Sequence, residues 1–552
     1  MIRKASLMVF ACVALFAAES KSAKESGKEK DMCSPPPGSI APALPAHLMK
    51  GQGDIYFAIT TTSPEAQKFF DQGVAQMHSF WANEAERSFL QAAALDPDAP
   101  MPWWGVSMVA AGDYRPRHQL ERDGPAKPGA KTKPIELKGG QLRAQEAALK
   151  AVRLSEISGK ATEVEKLYIA SIAARRQVKD GQAKDLNEAY IAGLRAILAA
   201  YPDEVEAGTY LALHLMRGYT LPDRAPREGT MEAVNLLRAL AVKFPDHAGV
   251  HHYIIHGWEG ATFAAEAWPS CERYPQLVTN IPHALHMPGH IWAQTGRWKE
   301  GEKSFQDAAV NEIGYMNADA LYGNYHHAHN IEFLITTYGF DGRYDEAVSA
   351  ARGLMAFPEN PRQAADLDDS YTAYRMGWFG LMRTLVTFEK WNEILDGKTL
   401  PVLDKPREQA WRHWALGVAY ANKGNARKAR GEYKLMELAM KEFPAKVDKP
   451  IPPPLKVAQE ELAGQIAIAQ KHTEKGLKLL AEAGAHERAL RYTEPPSYPR
   501  PVLDALGKRA SAAGKADAAI AAWHGALEQT PGDPRAQKGL NSATQRTASG
   551  IE

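Results

Sequence analysis

The chain has 552 residues, 45% of them hydrophobic and 24% charged, which is enough apolar material for an extensive core. Lys+Arg 66 against Asp+Glu 65 leave a formal net charge of +1. That balance excludes a broad electrostatic footprint for nucleic acid or for anionic membranes.

The N-terminus reads as an export signal. "MIRK" is a basic start, "ASLMVFACVALFAA" is an apolar stretch of suitable length, and small residues follow. The stretch is too short for a membrane span, which takes about 20 apolar residues. Residues 1–20 are therefore expected to be a signal peptide, with cleavage near Ala17–Ser20. "VFAC" loosely resembles a lipoprotein box, but the apolar run before Cys12 is very short, which argues against a lipid anchor. No later segment is apolar enough to span a bilayer, so the mature chain is expected to be periplasmic or secreted. Cys33 and Cys271 would remain, and export permits a disulfide between them, although their separation leaves the pairing open. Neither lies in a CxxC, so thiol redox chemistry has no support.

Residues 21–63 are rich in lysine and then in proline, and are expected to form a flexible tether. From 64 onward Ala, Leu, Glu, Lys and Arg recur at helical spacing, and no alternating run argues for a strand. A longer period is superimposed. Phe69, Gly73, Ala85, Phe89, Ala92 and Pro97 fall at positions 4, 8, 20, 24, 27 and 32 of a unit starting at 66. Gly507, Gly514, Ala519, Trp523, Ala526 and Pro531 repeat positions 8, 15, 20, 24, 27 and 32 near the C-terminus. Fragments of the same pattern occur at Gly296–Phe305, Gly342–Ala351 and Gly417–Tyr433. This is the 34-residue tetratricopeptide (TPR) helix–turn–helix. Small residues at 8, 20 and 27 let two helices approach, and the large one at 24 fills the gap. The pattern predicts an all-α superhelix of roughly eight to ten stacked hairpins, an α-solenoid. The array is expected over 64–442, a proline-rich connector over 443–456, and further hairpins over 457–552. Two breaks interrupt it: a basic, Gly/Pro-rich surface excursion at 113–140 and "YTEPPSYPRP" at 492–501.

Ten of the 18 histidines lie between 247 and 329, where even scattering would put about three. In "HHYIIHGWEG" (251–260), His252, His256 and Glu259 stand at i, i+4, i+7 and share one helix face. Two imidazoles at i, i+4 make a bidentate metal site, and the carboxylate can be a third ligand or fix an imidazole tautomer. Tyr253 occupies the place where zincin proteases carry glutamate, so that chemistry is not supported. In "PHALHMPGHIW" (282–292), His283, His286 and His290 share a face if the segment is helical. Pro288 either kinks that helix or starts it. "YHHAHN" (325–330) adds His326 and His329, followed by Asn330. In stacked hairpins the three segments could converge on one concave surface. The competing readings are a buried polar network that staples neighbouring repeats and a metal-free proton-transfer site. Isolated histidines such as His47, His78 and His214 read as half-buried side chains satisfied by one hydrogen bond. Trp103, Trp104, Trp258, Trp292 and Trp298 read as core, and Glu494 as a loop residue.

The segments "EAERSFLQAAALDPDAPMPWWG", "HHYIIHGWE", "HMPGHIW", "HHAHN" and "YTEPP" together resemble secreted bacterial TPR-containing proteins, over about 66–540. The resemblance implies a TPR superhelix and marks His252, His256, His286, His290 and His329 as signature positions. It implies no reaction. His251, His283, His326 and His327 are weaker candidates.

Two functions compete. One is a binding or scaffold protein that holds a protein or peptide in its concave groove. The other is a metalloprotein, extending to a metal-dependent oxidase or hydrolase. Its ligands would come from His252, His256, His286, His290, His329 and Glu259, with Zn, Cu or Fe as the metal and Glu259 as candidate base. Nucleophile elbows, phosphate loops and dinucleotide fingerprints are absent, so no organic cofactor is expected.

Overall fold

The first hairpin shows how the sequence makes the fold. Ser63 accepts a hydrogen bond from the Ala66 amide at 3.2 Å, and Pro64 fills the first turn, so helix α1 (Pro64–His78) starts there. Trp81 precedes α2 (Ala82–Leu95), which runs back along α1. The contact is made by Gly73 and Phe89: a Cβ on Gly73 would stand 2.6 Å from the Phe89 ring. The same device recurs at Gly289 with Phe305 and at Gly507 with Trp523, where the added Cβ would meet the ring at 2.4 and 2.6 Å. Gly507→Ala is therefore expected to overpack its hairpin, costing about 1–3 kcal/mol against the roughly 1 kcal/mol gained in helix propensity. The net loss is read as a lowered Tm with the helical circular dichroism signal kept.

The computed structural model describes residues 46–119, 139–177, 183–318, 325–359, 372–447 and 450–548. Helices continue as α3 (Met101–Ala110), α4 (Gly140–Ser158), α5 (Glu163–Gln177), α6 (Ala183–Ala200), α7 (Val205–Leu215), α8 (Thr230–Lys243), α9 (Ala248–Trp258), α10 (Trp268–Leu277) and α11 (Pro282–Gln294). Then come α12 (Trp298–Ala318), α13 (Tyr325–Phe340), α14 (Tyr344–Met355), α15 (Ala373–Thr387), α16 (Trp391–Leu395), α17 (Pro406–Asn422) and α18 (Ala426–Val447). The last are α19 (Pro453–Ala469), α20 (Thr473–Arg488), α21 (Val502–Ala512), α22 (Ala516–Gln529) and α23 (Pro534–Ala548). Each helix packs on its successor, and first helices of adjacent hairpins also touch, as α9 on α11 and α13 on α15. The described residues hold no strand, only one isolated bridge between Tyr219 and Pro226. The chain is an all-α TPR-type solenoid. No helix among the described residues is long and apolar enough to cross a membrane.

The solenoid curls twice. In the first half α1 packs on α9, so the curl closes on itself. Tyr274 donates to Ser79 at 3.0 Å across that closure. Gly249 of α9 passes so near His78 that a Cβ there would lie 2.4 Å from Nδ1. One continuous core runs from Ile55 to Trp292 and a second from Ala328 to Ala543. The C-terminal hairpins bend back to the α11–α12 turn, where Gly296, at φ +74°, would bring a Cβ within 2.3 Å of the Pro531 carbonyl oxygen.

Three boundaries differ from the expectation. Residues 46–63, the end of the expected tether, are packed: Ile55 and Phe57 are buried, and Thr60 donates to Glu165 at 2.6 Å. Ile55 and Phe57 alternate with the exposed Tyr56 and join the first core without needing helical periodicity. The connector expected over 443–456 shrinks, because α18 runs to Val447 and Pro453 opens α19, a position that tolerates proline's missing N–H. The start of the 113–140 excursion is buried, with Asp113, Tyr114, Arg115 and Arg117 in the core. Residues 120–138, the signal peptide over 1–20 and Cys33 lie outside the described residues, so the disulfide does too. Cys271 is buried.

Candidate metal centre

Where the two curls meet, α9, α11 and α13 bring six imidazoles together. His252 and His256 stand one turn apart on α9. His283, His286 and His290 come from α11, which runs through Pro288, and His329 comes from α13. None of the six is more than 4% exposed. Their ligand nitrogens form two trios, His252/His256/His283 and His286/His290/His329, all within 4.8 Å of one another in each. The shared face of α11 thus divides: His283 reaches toward α9, while His286 and His290 reach toward α13.

Each trio faces one phenyl ring. Phe80 lies 4.5, 5.2 and 5.2 Å from the His252, His256 and His283 rings. Phe333 lies 4.9, 4.8 and 4.8 Å from those of His286, His290 and His329. Phe80 holds a left-handed φ of +54°, the kind of backbone strain that persists where the surroundings dictate it. Tyr274 stacks on His252 at 5.0 Å. The imidazoles are buried and walled by aromatics.

The hydrogen bonds fix the ring tautomers. Nδ1 of His252 donates to the His78 carbonyl. Nδ1 of His256 donates to Glu259 Oε2 at 2.8 Å, and Nδ1 of His290 to Glu259 Oε1 at 2.7 Å. Nδ1 of His286 donates to Asn330 Oδ1 at 2.6 Å. Each of these acceptors lies outside the cluster, so the Nε2 lone pairs point inward. Nε2 of His286 and of His290 are 2.6 Å apart, and Nε2 of His252 and of His283 are 3.2 Å apart. Nε2 of His256 has no hydrogen-bond partner among the described residues. Converging lone pairs in a buried space call for a positive centre between them. A carboxylate, a carbonyl or an amide oxygen behind the ring is how proteins orient imidazoles for metals.

The electrostatics agree. Burial first, and then the neighbouring imidazoles, hold His252, His283 and His286 well below the ordinary histidine range. They are neutral donors. His290 is the exception: burial opposes its charge, but the carboxylates of Glu494 and Glu259 raise it to about 10. Without a metal, a proton occupies the gap between the Nε2 atoms of His290 and His286. Glu494 Oε2 stands 2.8 Å from His290 Nδ1, and burial pushes its carboxyl up to about 7.

A second histidine group shows the contrast. His78, Glu206 and His247 also cluster. There Nε2 of His78 and of His247 meet Glu206 at 2.7 and 3.0 Å, His78 Nδ1 meets the Tyr253 hydroxyl at 3.1 Å, and His247 Nδ1 accepts from the Val250 amide at 3.3 Å. Every ring nitrogen there has a hydrogen-bond partner, and the two Nε2 atoms meet on a carboxylate and not on each other.

All five histidines singled out in the sequence lie in the cluster, and Glu259 stands behind it, bonded to one imidazole of each trio. His283, a weaker candidate by sequence, is a full member. His251 turns away to Ser270 and the Pro245 carbonyl, and His327 to the Ala309 carbonyl. His326 borders both trios, with ring centroids 6.2 Å from His283 and 5.8 Å from His286. Glu494 is a loop residue as expected, yet its carboxylate reaches the site. Sequence reasoning missed Phe80, Phe333 and this role of Glu494; only the "YTEPP" motif hinted at the last.

No family model matches the chain, and no curated protein matches it. Solved helical-repeat structures align over most of it. The human IFIT1 dimer with m7Gppp-AAAA is 12% identical over 89% of this chain and 92% of that one, with a TM-score of 0.31. Yeast Tom70 is 10% identical over 89% and 90%, at 0.28. The P58(IPK) TPR domain is 12% identical over 88% and 99%, at 0.22. Scores this low carry no functional inference.

Proposed function

We propose that this is an exported TPR-type scaffold or binding protein whose central repeats hold a transition-metal centre. The single observation that carries it is the inward convergence of the Nε2 atoms of His252, His256, His286 and His290, whose Nδ1 atoms are each held by an oxygen behind the ring. A network that merely stapled repeats would satisfy its own ring nitrogens, as His78 and His247 do. Imidazole donors without thiolate suit copper, zinc or iron. The concave face would bind a protein or peptide, in keeping with solenoid geometry. Export rests on the basic and apolar N-terminal sequence.

The test is metal content of the protein purified without chelator or nickel resin, beside a His252→Ala/His286→Ala variant. A bound transition metal in the wild type, lost in the variant with helical circular dichroism unchanged, is the expected result. Metal in neither, even after reconstitution, overturns the proposal.

A metal-dependent enzyme is the second reading, favoured by the donor count. Three imidazoles in each trio leave a fourth position on a tetrahedral ion open to a small ligand.

A further inference from the structure

We infer that the centre is a pair of copper ions, one in each histidine trio, bound as Cu(I). This rests on the metal-centre reading above and goes beyond it in number, placement and identity.

The number follows from how the donors divide. The six ligand nitrogens converge on two points, His252/His256/His283 and His286/His290/His329. Three nitrogens about 2.0–2.1 Å from one three-coordinate ion stand about 3.5–3.6 Å from each other. The 3.2 Å between Nε2 of His252 and of His283 is a few tenths of an ångström short of that spacing. The 2.6 Å between Nε2 of His286 and of His290 is the length of a shared proton, which a metal displaces with a small outward turn of the rings. The aromatic walls repeat the division, Phe80 facing one trio and Phe333 the other. Glu259 ties the two together, one oxygen bonded to His256 and the other to His290.

The identity follows from charge. With a metal on Nε2 all six imidazoles, His290 included, are neutral donors; Glu259 and Glu494 supply at most two negative charges, and the Arg224 guanidinium lies near enough to act on Glu494. Two monovalent ions stay nearer to that balance than two divalent ones. Two divalent ions leave at least two positive charges uncompensated in a buried, aromatic interior, where an unpaired charge is expensive. Three-coordination by nitrogen is also a geometry that Cu(I) accepts without a further ligand, whereas zinc completes a tetrahedron. The Glu259–His290–Glu494 group needs no ion of its own, because the proton on His290 Nδ1 accounts for it.

The experiment is an anaerobic Cu(I) titration of the full chain against a chromophoric Cu(I) chelator, with a parallel Zn(II) competition. The wild type is expected to take two equivalents. His283→Gln and His329→Gln, each confined to one trio, are expected to keep one. Zero equivalents of either metal in the wild type overturns the metal-centre reading itself. One equivalent overturns the pair while leaving a single centre in place. Two equivalents of Zn(II) held in preference to Cu(I) overturn the copper assignment. Loss of both equivalents from one substitution, with the helical signal intact, overturns the one-ion-per-trio placement. The wild-type count decides even where a variant fails to fold.

Discussion

Glu259→Ala is expected to weaken both halves of the metal centre at once, by about 10–100-fold in affinity each. The reason is geometric. Glu259 is the acceptor for Nδ1 of His256 in one trio and of His290 in the other. Without it His256 loses the acceptor that fixes its tautomer and can turn its protonated nitrogen inward, while His290 is held from one side only, by Glu494. Asn330→Ala makes the control, because of the six imidazoles Asn330 is bonded to His286, its amide nitrogen meeting His326 at 3.4 Å. It is expected to weaken only the trio of His286, His290 and His329. Competition titrations on the two variants, with helical content as the fold check, read the difference directly. Equal loss from both variants would mean that the two trios do not act as separate sites.

Asp113→Asn is expected to cost about 3–5 kcal/mol of stability, the range for breaking a buried ion pair. Asp113 lies under the start of the 113–140 segment and is 2% exposed. Arg175 donates to its Oδ1 at 2.7 Å, and Arg176 donates to its Oδ2. His214 is bonded to its carbonyl at 2.9 Å. Burial alone would raise the Asp113 carboxyl, but the two guanidiniums overcome this and hold it well below the usual carboxylate range. The sign of the pH effect follows. A carboxyl depressed on folding contributes stability that is fully present above its unfolded value of about 3.9 and lost as pH falls below it. Denaturant melts from pH 7 to pH 3 should show a steep loss below about pH 4 in the wild type. Asp113→Asn should lose stability at pH 7 and show a flatter acid limb. An unchanged limb would assign the acid loss to other carboxylates.

Much of this was legible in the sequence, for reasons that particular residues show. The 34-residue period is local information, because Gly73 and Phe89 meet within one hairpin. The pairing of His252 with His256 is equally local, since i and i+4 share a helix face whatever surrounds it. What periodicity could not say is which neighbouring helix a face meets. His283, His286 and His290 share a stripe on α11, yet that stripe straddles a boundary: one imidazole turns to α9 and two to α13. The closure of α1 on α9 was also hidden. The His78 carbonyl that fixes His252 lies 174 residues away in sequence. No window of local pattern reports a contact at that range. Phe80 and Phe333 look like ordinary core aromatics, and only the fold shows that each covers three imidazoles. The tether expected through residue 63 failed for a related reason. Its last residues carry no helical period, but Gln52 and Thr60 find partners at Asn280 and Glu165, more than 100 residues away in sequence.

The loop that carries Glu494 has a kinetic consequence. Tyr492 reaches Gln294 across 198 residues of sequence, and Glu494 reaches His290 beside it. Contacts so distant form late, because the entropy of closing the loop precedes any gain from the contact. A chain made from its N-terminus therefore displays all six imidazoles before the segment that covers their rim exists. In the proposed centre, capture of ions and their retention would be separate events, governed by different parts of the polypeptide: the middle hairpins would set how fast a metal enters, and the docking of the C-terminal ones how slowly it leaves.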